Sequence, residues 1–317
     1  MRIDVHAHLW SEVYLDLLER FGNTTTAVHR GLGAGPEGLD ARFALMDRAG
    51  IDLQVLSTAP ASPHFDNEAH AVEAAQRVND EYAETVRRHP DRFRAFVSLP
   101  LPHTDAALVE LGRGLDDLGM LGAAITTSVL GRPVDAPEFL PVYAELDRRG
   151  AALFVHPAGV GAASPLIDST MTWSAGAPIE DTVAITRLIL AGIPSRFPNM
   201  KIIGGHLGGA LPMLLTRMDR QYTWEAPNTP ERPSLAARRL WFDTVAHAHT
   251  PALRAAADSF GADRLVLGTD FPYQTGEAFQ EAVTYVRQAG LTDKDVTAVL
   301  DGTAADVLGL SGPIDPA

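Results

Sequence analysis

The chain opens MRIDVHAHLW, which sets His6 and His8 two residues apart in an otherwise apolar run. In an extended strand, side chains at i and i+2 share a face, so the two imidazoles point to the same side. Two converging imidazoles can chelate a cation, but two hydrogen-bonded rim histidines look the same in one motif. Three more residues bear on the choice: His156 ends the run LFVHP, His206 ends IIGGH and Asp270 ends VLGTD. Imidazole and carboxylate donors of this kind suit a divalent metal. Such an ion with an open position either lowers the pKa of bound water or holds and polarises a substrate oxygen.

Whether these five residues meet depends on the elements that carry them. Eight β-type runs recur along the chain: IDVHAHL (3–9), LQVLST (53–58), RAFVSLP (94–100), GAAITT (122–127), AALFVHP (151–157), KIIGGH (201–206), LWFDTVA (240–246) and RLVLGTD (264–270). Helix-like stretches separate them, from LDARFALMDRAG to GEAFQEAVTYVRQAG, and several close on Gly or Pro. Strand then helix, eight times over, predicts an α/β chain folded as a (β/α)8 TIM barrel. A doubly wound open sheet is the rival, but no Gly-x-Gly-x-x-Gly follows the first run. In a barrel the carboxyl ends of all strands face one mouth, and the five residues share it. The expected organisation is a single domain over 1–317, with added C-terminal helices, a loose SGPIDPA terminus, and two long connections (20–39 and 157–178) capping the mouth.

Composition narrows the chemistry. Forty acidic residues against 26 basic ones give a net charge of −14, and Lys and Arg gather into no run that would neutralise phosphates, so no nucleic acid or membrane partner is expected. The chain has no cysteine, which leaves nitrogen and oxygen as metal donors. The N-terminus has no signal-peptide h-region and no run is long enough to span a bilayer, so a cytoplasmic enzyme is expected.

DVHAHL, FVHP, GGHLGG and GTDFPY, in this order and at these intervals, resemble the amidohydrolase superfamily, in the branch of α-amino-β-carboxymuconate-ε-semialdehyde decarboxylase and the phenolic-acid (γ-resorcylate, 6-methylsalicylate) decarboxylases. The resemblance runs from residue 3 to about 308. It implies that His6, His8, His156 and Asp270 bind one divalent metal, with His206 beside it as a catalytic residue; His206 and Asp270 are then the proton-transfer groups, Asp270 because a carboxylate touching the metal takes or gives a proton with little motion. Many binuclear members carry a bridging lysine on the fourth strand, whereas GAAITT has none, so a single ion is expected. Zinc suits three imidazoles and a carboxylate, and manganese tolerates the same set.

The resemblance also implies that Arg217, eleven residues after His206, reaches into the neighbouring subunit's site of a homodimer and grips a substrate carboxylate. Trp173 and Tyr273 match aromatic positions of the substrate pocket. A second carboxylate-binding arginine belongs in the 20–40 segment, where Arg20 and Arg30 both stand; Arg42 is assigned to packing. His247 and His249 form a second His-x-His after the seventh run, read as loop or supporting residues, and His29 and His64 could reach the substrate. The resulting expectation is a metal-dependent, non-oxidative decarboxylase of a small aromatic or unsaturated carboxylic acid. The alternative is a hydrolase of a lactone, ester or amide working through metal-bound hydroxide.

Overall fold

The computed structural model describes residues 1–32 and 36–310; SGPIDPA lies outside them. Eight strands form its centre: β1 Ile3–His8, β2 Leu53–Ser57, β3 Phe93–Ala95 continued by Val97–Ser98, β4 Gly122–Thr126, β5 Ala152–His156, β6 Lys201–Gly204, β7 Trp241–Asp243 and β8 Leu265–Val266. Each pairs in parallel with the next. The sheet closes where Val5 N–H donates to the Leu267 carbonyl at 2.9 Å and His8 N–H to the Phe271 carbonyl at 2.8 Å. This is the expected (β/α)8 barrel, with helices in the crossovers. β7 and β8 are shorter than their apolar runs suggest, because both chains leave the ladder early to build the mouth.

Alternation sorts the strand residues into two cores. Ile3, Val5, Leu53, Val55, Phe96, Phe154, Ile203 and Val266 fill the barrel interior, where Ala304, Val307 and Leu308 of the helix Thr303–Leu308 join them. Leu56, Leu153, Val155 and Ile202 face outward into a larger cluster shared with the surrounding helices. β1 breaks the alternation at the point that matters. Asp4 pairs with Gln54 but Ala7 pairs with Leu56, so one extra residue bulges from β1 between them. Val5 and His6 therefore both turn to the interior, where the His6 ring lies 5.1 Å from that of Phe154. A regular strand with Ile3 and Val5 inward would have aimed His6 and His8 at the helices.

One helix, Glu12–Arg20, had no counterpart in the periodicity reading. Its N-cap Ser11 accepts a hydrogen bond from Tyr14 N–H, and Tyr14, Leu15, Leu17 and Leu18 are buried. The expected C-terminal helices are three short helical pieces, Asp293–Thr297, Ala298–Gly302 and Thr303–Leu308. Among the described residues, no helix is long and apolar enough to cross a membrane.

Candidate active site

His6, His8, His156 and Asp270 are buried together at the carboxyl end of the barrel, each with a ligand atom within 4.8 Å of all the others. Contacts behind each ring set its orientation. His6 Nδ1 lies 2.7 Å from Asp243 Oδ2, His156 Nδ1 lies 2.8 Å from the Pro157 carbonyl, and His8 Nδ1 lies 3.3 Å from the Ser57 carbonyl. Since a carbonyl or carboxylate can only accept, Nδ1 of His6 and His156 carries the proton and Nε2 presents a lone pair, while His8 Nδ1 also has the Ser57 hydroxyl 3.1 Å away. His6 Nε2 and His8 Nε2 then face Asp270 Oδ1 at 3.2 and 3.3 Å. His6 Nε2 is fully buried and has no hydrogen-bond partner. Lone pairs converging on a buried carboxylate repel one another unless a cation stands between them, so this donor set fits a divalent metal.

Without the metal, a proton fills that role. Burial disfavours a charged His6, but the carboxylates of Asp243 and Asp270 outweigh it and raise the pKa to about 9. Burial lowers His8 to about 4 and His156 well below the ordinary imidazole value. Burial also disfavours the Asp270 anion, yet His6, His206 and His8 hold it well below the usual carboxylate range. At pH 7.5 only one of the four ligands therefore carries a proton that the metal must displace. Metal loading at that pH is expected to release about one proton per ion, falling toward zero above pH 9 as His6 deprotonates by itself. Calorimetry in buffers of different ionisation enthalpy measures this; release of two protons, or none, at pH 7.5 contradicts the assignment.

His206 stands beside the ligand group. Its Nε2 lies 3.9 Å from Asp270 Oδ2, and its Nδ1 lies 2.9 Å from Asp181 Oδ2 of the helix Ala177–Leu190. Burial opposes charge on His206, but Asp181 and Asp270 together raise its pKa well above the ordinary value. Burial lifts Asp181 to about 6, still ionised at neutral pH. His206 and Asp270 both sit at positive φ (49° and 60°), a left-handed geometry that costs a non-glycine residue about 1 kcal/mol or more. It persists because Asp243 Oδ1 accepts from His206 N–H at 3.0 Å, and Asp270 N–H donates to the His6 carbonyl at 2.8 Å.

Asp243 thus orients a ligand ring with one oxygen and the backbone of His206 with the other. Asn in its place keeps the shape and loses the charge, which is expected to cost about 10- to 100-fold in metal affinity. Competition with a chelator of known affinity measures the loss, and an unchanged affinity would remove Asp243 from the site. Gly268 makes this packing possible: a Cβ there would lie 2.9 Å from Asp243 Cβ and 3.0 Å from His6 Cβ. Asp4 braces the bulge, accepting from the backbone N–H of His6 and Thr269, the Thr269 hydroxyl and Gln54 Nε2.

The ligand group opens into a cavity of about 810 Å3 with mainly apolar walls. Trp173 and Tyr273 line it, their rings 6.5 Å apart and inclined by 23°, and Val28 reaches it from the first long connection. Both long connections therefore reach the mouth. The second is anchored by buried Glu180, whose carboxylate accepts from the Thr127 hydroxyl and from the backbone N–H groups of residues 158 to 161.

Arg217 is exposed on the helix Leu211–Glu225, with Gln221 Oε1 3.4 Å away, and does not line the cavity of its own chain. Neither Arg20 nor Arg30 lines it either. Arg20 pairs with Glu73, and Arg30 is held by Glu12, Asp16 and Glu19. Arg42 has the packing role expected of it, fully buried against the rings of Phe93 and Phe271 and donating to Gln54 and the His8 carbonyl. His64 lies 3.4 Å from the Thr126 hydroxyl, and His29 is buried against Trp10 with its Nδ1 2.7 Å from the Tyr273 hydroxyl. His247 and His249 line the cavity outside the ligand group.

Three carboxylates were missed by sequence reasoning: Asp4, Asp181 and Asp243. Asp4 and Asp243 had a signal, since each is an acid within an apolar strand run (IDVHAH, LWFDTV), where an unpaired charge is costly. Asp181 sits in an ordinary amphipathic helix and had none.

The amidohydrolase family pattern matches residues 3–310. A 2-amino-3-carboxymuconate-6-semialdehyde decarboxylase of Dictyostelium discoideum is 28% identical, over 98% of this chain and 92% of its own. A gamma-resorcylate decarboxylase of Rhizobium radiobacter is 33% identical, over 74% of this chain and 77% of its own. Among solved structures, a 2,6-dihydroxybenzoate decarboxylase from Rhizobium superposes with a TM-score of 0.81 at 26% identity, covering 98% of this chain and 99% of that one. With the whole barrel and its metal-binding mouth inside the matched region, the chain belongs to the amidohydrolase family.

Proposed function

We propose that the chain is a metal-dependent, non-oxidative decarboxylase of a small aromatic or unsaturated carboxylic acid, of the hydroxybenzoate or carboxymuconate kind, acting in the cytoplasm with residues 1–317 as one catalytic domain. The observation that carries this reading is the placement of His206, its Nδ1 2.9 Å from Asp181 Oδ2 and its Nε2 facing Asp270 at the floor of an apolar cavity. The decarboxylase relatives, at 28 and 33% identity, support it.

His6, His8, His156 and Asp270 would hold the ion, zinc first by donor type, with manganese taking the same atoms. When bound, it supplies a Lewis-acidic centre that holds and polarises substrate oxygens. His206 carries a proton on Nε2 toward the reacting carbon. Protonation of the carbon bearing the carboxylate, then C–C cleavage with the bonding pair left on that carbon, releases carbon dioxide and gives the shortened product. Asp270 Oδ2, 3.9 Å from His206 Nε2, helps place that proton. The apolar walls exclude water and favour loss of the charged carboxylate. Arg217, solvent-facing in its own chain, is free to grip a carboxylate in the neighbouring subunit of a homodimer.

Turnover in deuterium oxide tests the proton step. The product should carry one deuterium at the carbon that lost its carboxylate. A new carboxylate formed from a lactone or ester, with no carbon dioxide from any acid, would assign the site to hydrolysis instead.

A further inference from the structure

The cavity above the ligand group is short of groups that could bind a second polar substituent. Val28, Pro212, Met213, Val245 and Ala252 make up much of its wall, and neither lysine nor arginine lines it. Arg20 and Arg30, the arginines of the segment expected to supply a carboxylate grip, are paired with acids elsewhere. The Tyr273 hydroxyl already faces His29 Nδ1 at 2.7 Å. His206 and Asp270 belong to the reacting end.

Ser174 and the Trp173 indole line the cavity from the second long connection, and two imidazoles, His247 and His249, line it from the loop that follows β7. Both are exposed at the cavity, and neither side chain has a hydrogen-bond or ion-pair partner among the described residues. The loop is firmly set. Asp243 Oδ1 accepts from Val245 N–H at 2.9 Å, His249 N–H donates to the Ala246 carbonyl at 3.0 Å, and His247 and Ala248 are held at φ of 47° and 58°. A non-glycine pair kept in the left-handed region beside a reaction centre marks a segment whose shape is fixed by its surroundings. We propose that His247 and His249 recognise a second hydrogen-bond-accepting group, a carboxylate or phenolate, at the end of the substrate remote from the reacting carboxyl. Imidazole N–H groups at the rim of an apolar cavity would set specificity, because a substrate lacking the acceptor gains nothing from them.

The substrate class rests on the decarboxylase reading, so the test separates binding from turnover. Salicylate and 4-hydroxyisophthalate differ by one carboxylate, para to the phenol oxygen and meta to the reacting carboxyl, on the ring edge opposite that pair. Calorimetry on the metal-loaded protein should show 4-hydroxyisophthalate bound at least about tenfold more tightly than salicylate, the worth of one charge-assisted hydrogen bond. In H247A/H249A that preference should vanish, while salicylate affinity moves less than about twofold. A wild-type protein without the preference, or a double variant that keeps it, overturns the proposal; so does an R217A variant that alone abolishes it. Carbon dioxide release from the same ligands reports on the decarboxylase reading independently. A lost preference without any carbon dioxide would keep the recognition role and sink the reaction.

Discussion

Replacing His206 with Asn is expected to cut turnover by about 10^3-fold or more while bound metal stays close to the wild-type amount. Positioned general acids contribute roughly 10^2- to 10^4-fold, and Asn keeps the approximate shape but carries no transferable proton. The two readouts should separate because the four ligand atoms gather without His206, which sits beside them. The substitution also strips Asp181 of its charged partner, and a buried carboxylate without one is costly, so some loss of stability accompanies the lost activity. Metal content by mass spectrometry and initial rates on the same preparation decide the matter. If metal and activity fall together, His206 is a ligand rather than a proton donor; if activity survives, the proton comes from elsewhere.

The second large effect belongs to the opening motif. A His6→Ala/His8→Ala double variant removes two of the four donors, the two that are fully buried, and both metal and turnover should fall to about a tenth of wild type or less. Asp270 would be left with His156 and His206 as neighbours, too few donors for a tetrahedral structural or catalytic site. The His6→Ala single variant should already lose most of the metal, because His6 is the ring pinned most tightly, 2.7 Å from Asp243. Equal metal content in wild type and the double variant would dismiss the site. Circular dichroism guards against the trivial outcome, since the His6 ring also packs 5.1 Å from Phe154 of the apolar interior.

Much of this was readable in advance, for reasons that differ between parts of the chain. Strand alternation and helix periodicity are local signals, and they located all eight strands and one helix in each crossover, though not the helix Glu12–Arg20. The five site residues stood out because His6 and His8 share one strand face and His156, His206 and Asp270 each end an apolar run, which a barrel places at one mouth. The β1 bulge was invisible: it depends on how Asp4 is bonded by Gln54 and Thr269, contacts separated by 50 and 265 residues. Simple alternation points His6 and His8 together, which is right, but toward the helices, which is wrong. Asp181 was missed because an acid in a helix usually faces water. Arg30 could not be told apart from Arg20 until their partners were seen, as pairing with Glu12, Asp16 and Glu19 involves side chains that sequence spacing does not resolve.

The most direct test of the central claim is carbon dioxide release by the purified chain over a panel of hydroxybenzoates and carboxymuconate-type acids, before chelation, after chelation, and after return of zinc or manganese. The account predicts release from at least one acid, its loss on chelation, and its recovery at about one ion per chain. Release that survives complete removal of metal, or none from any acid with one ion bound, would contradict it.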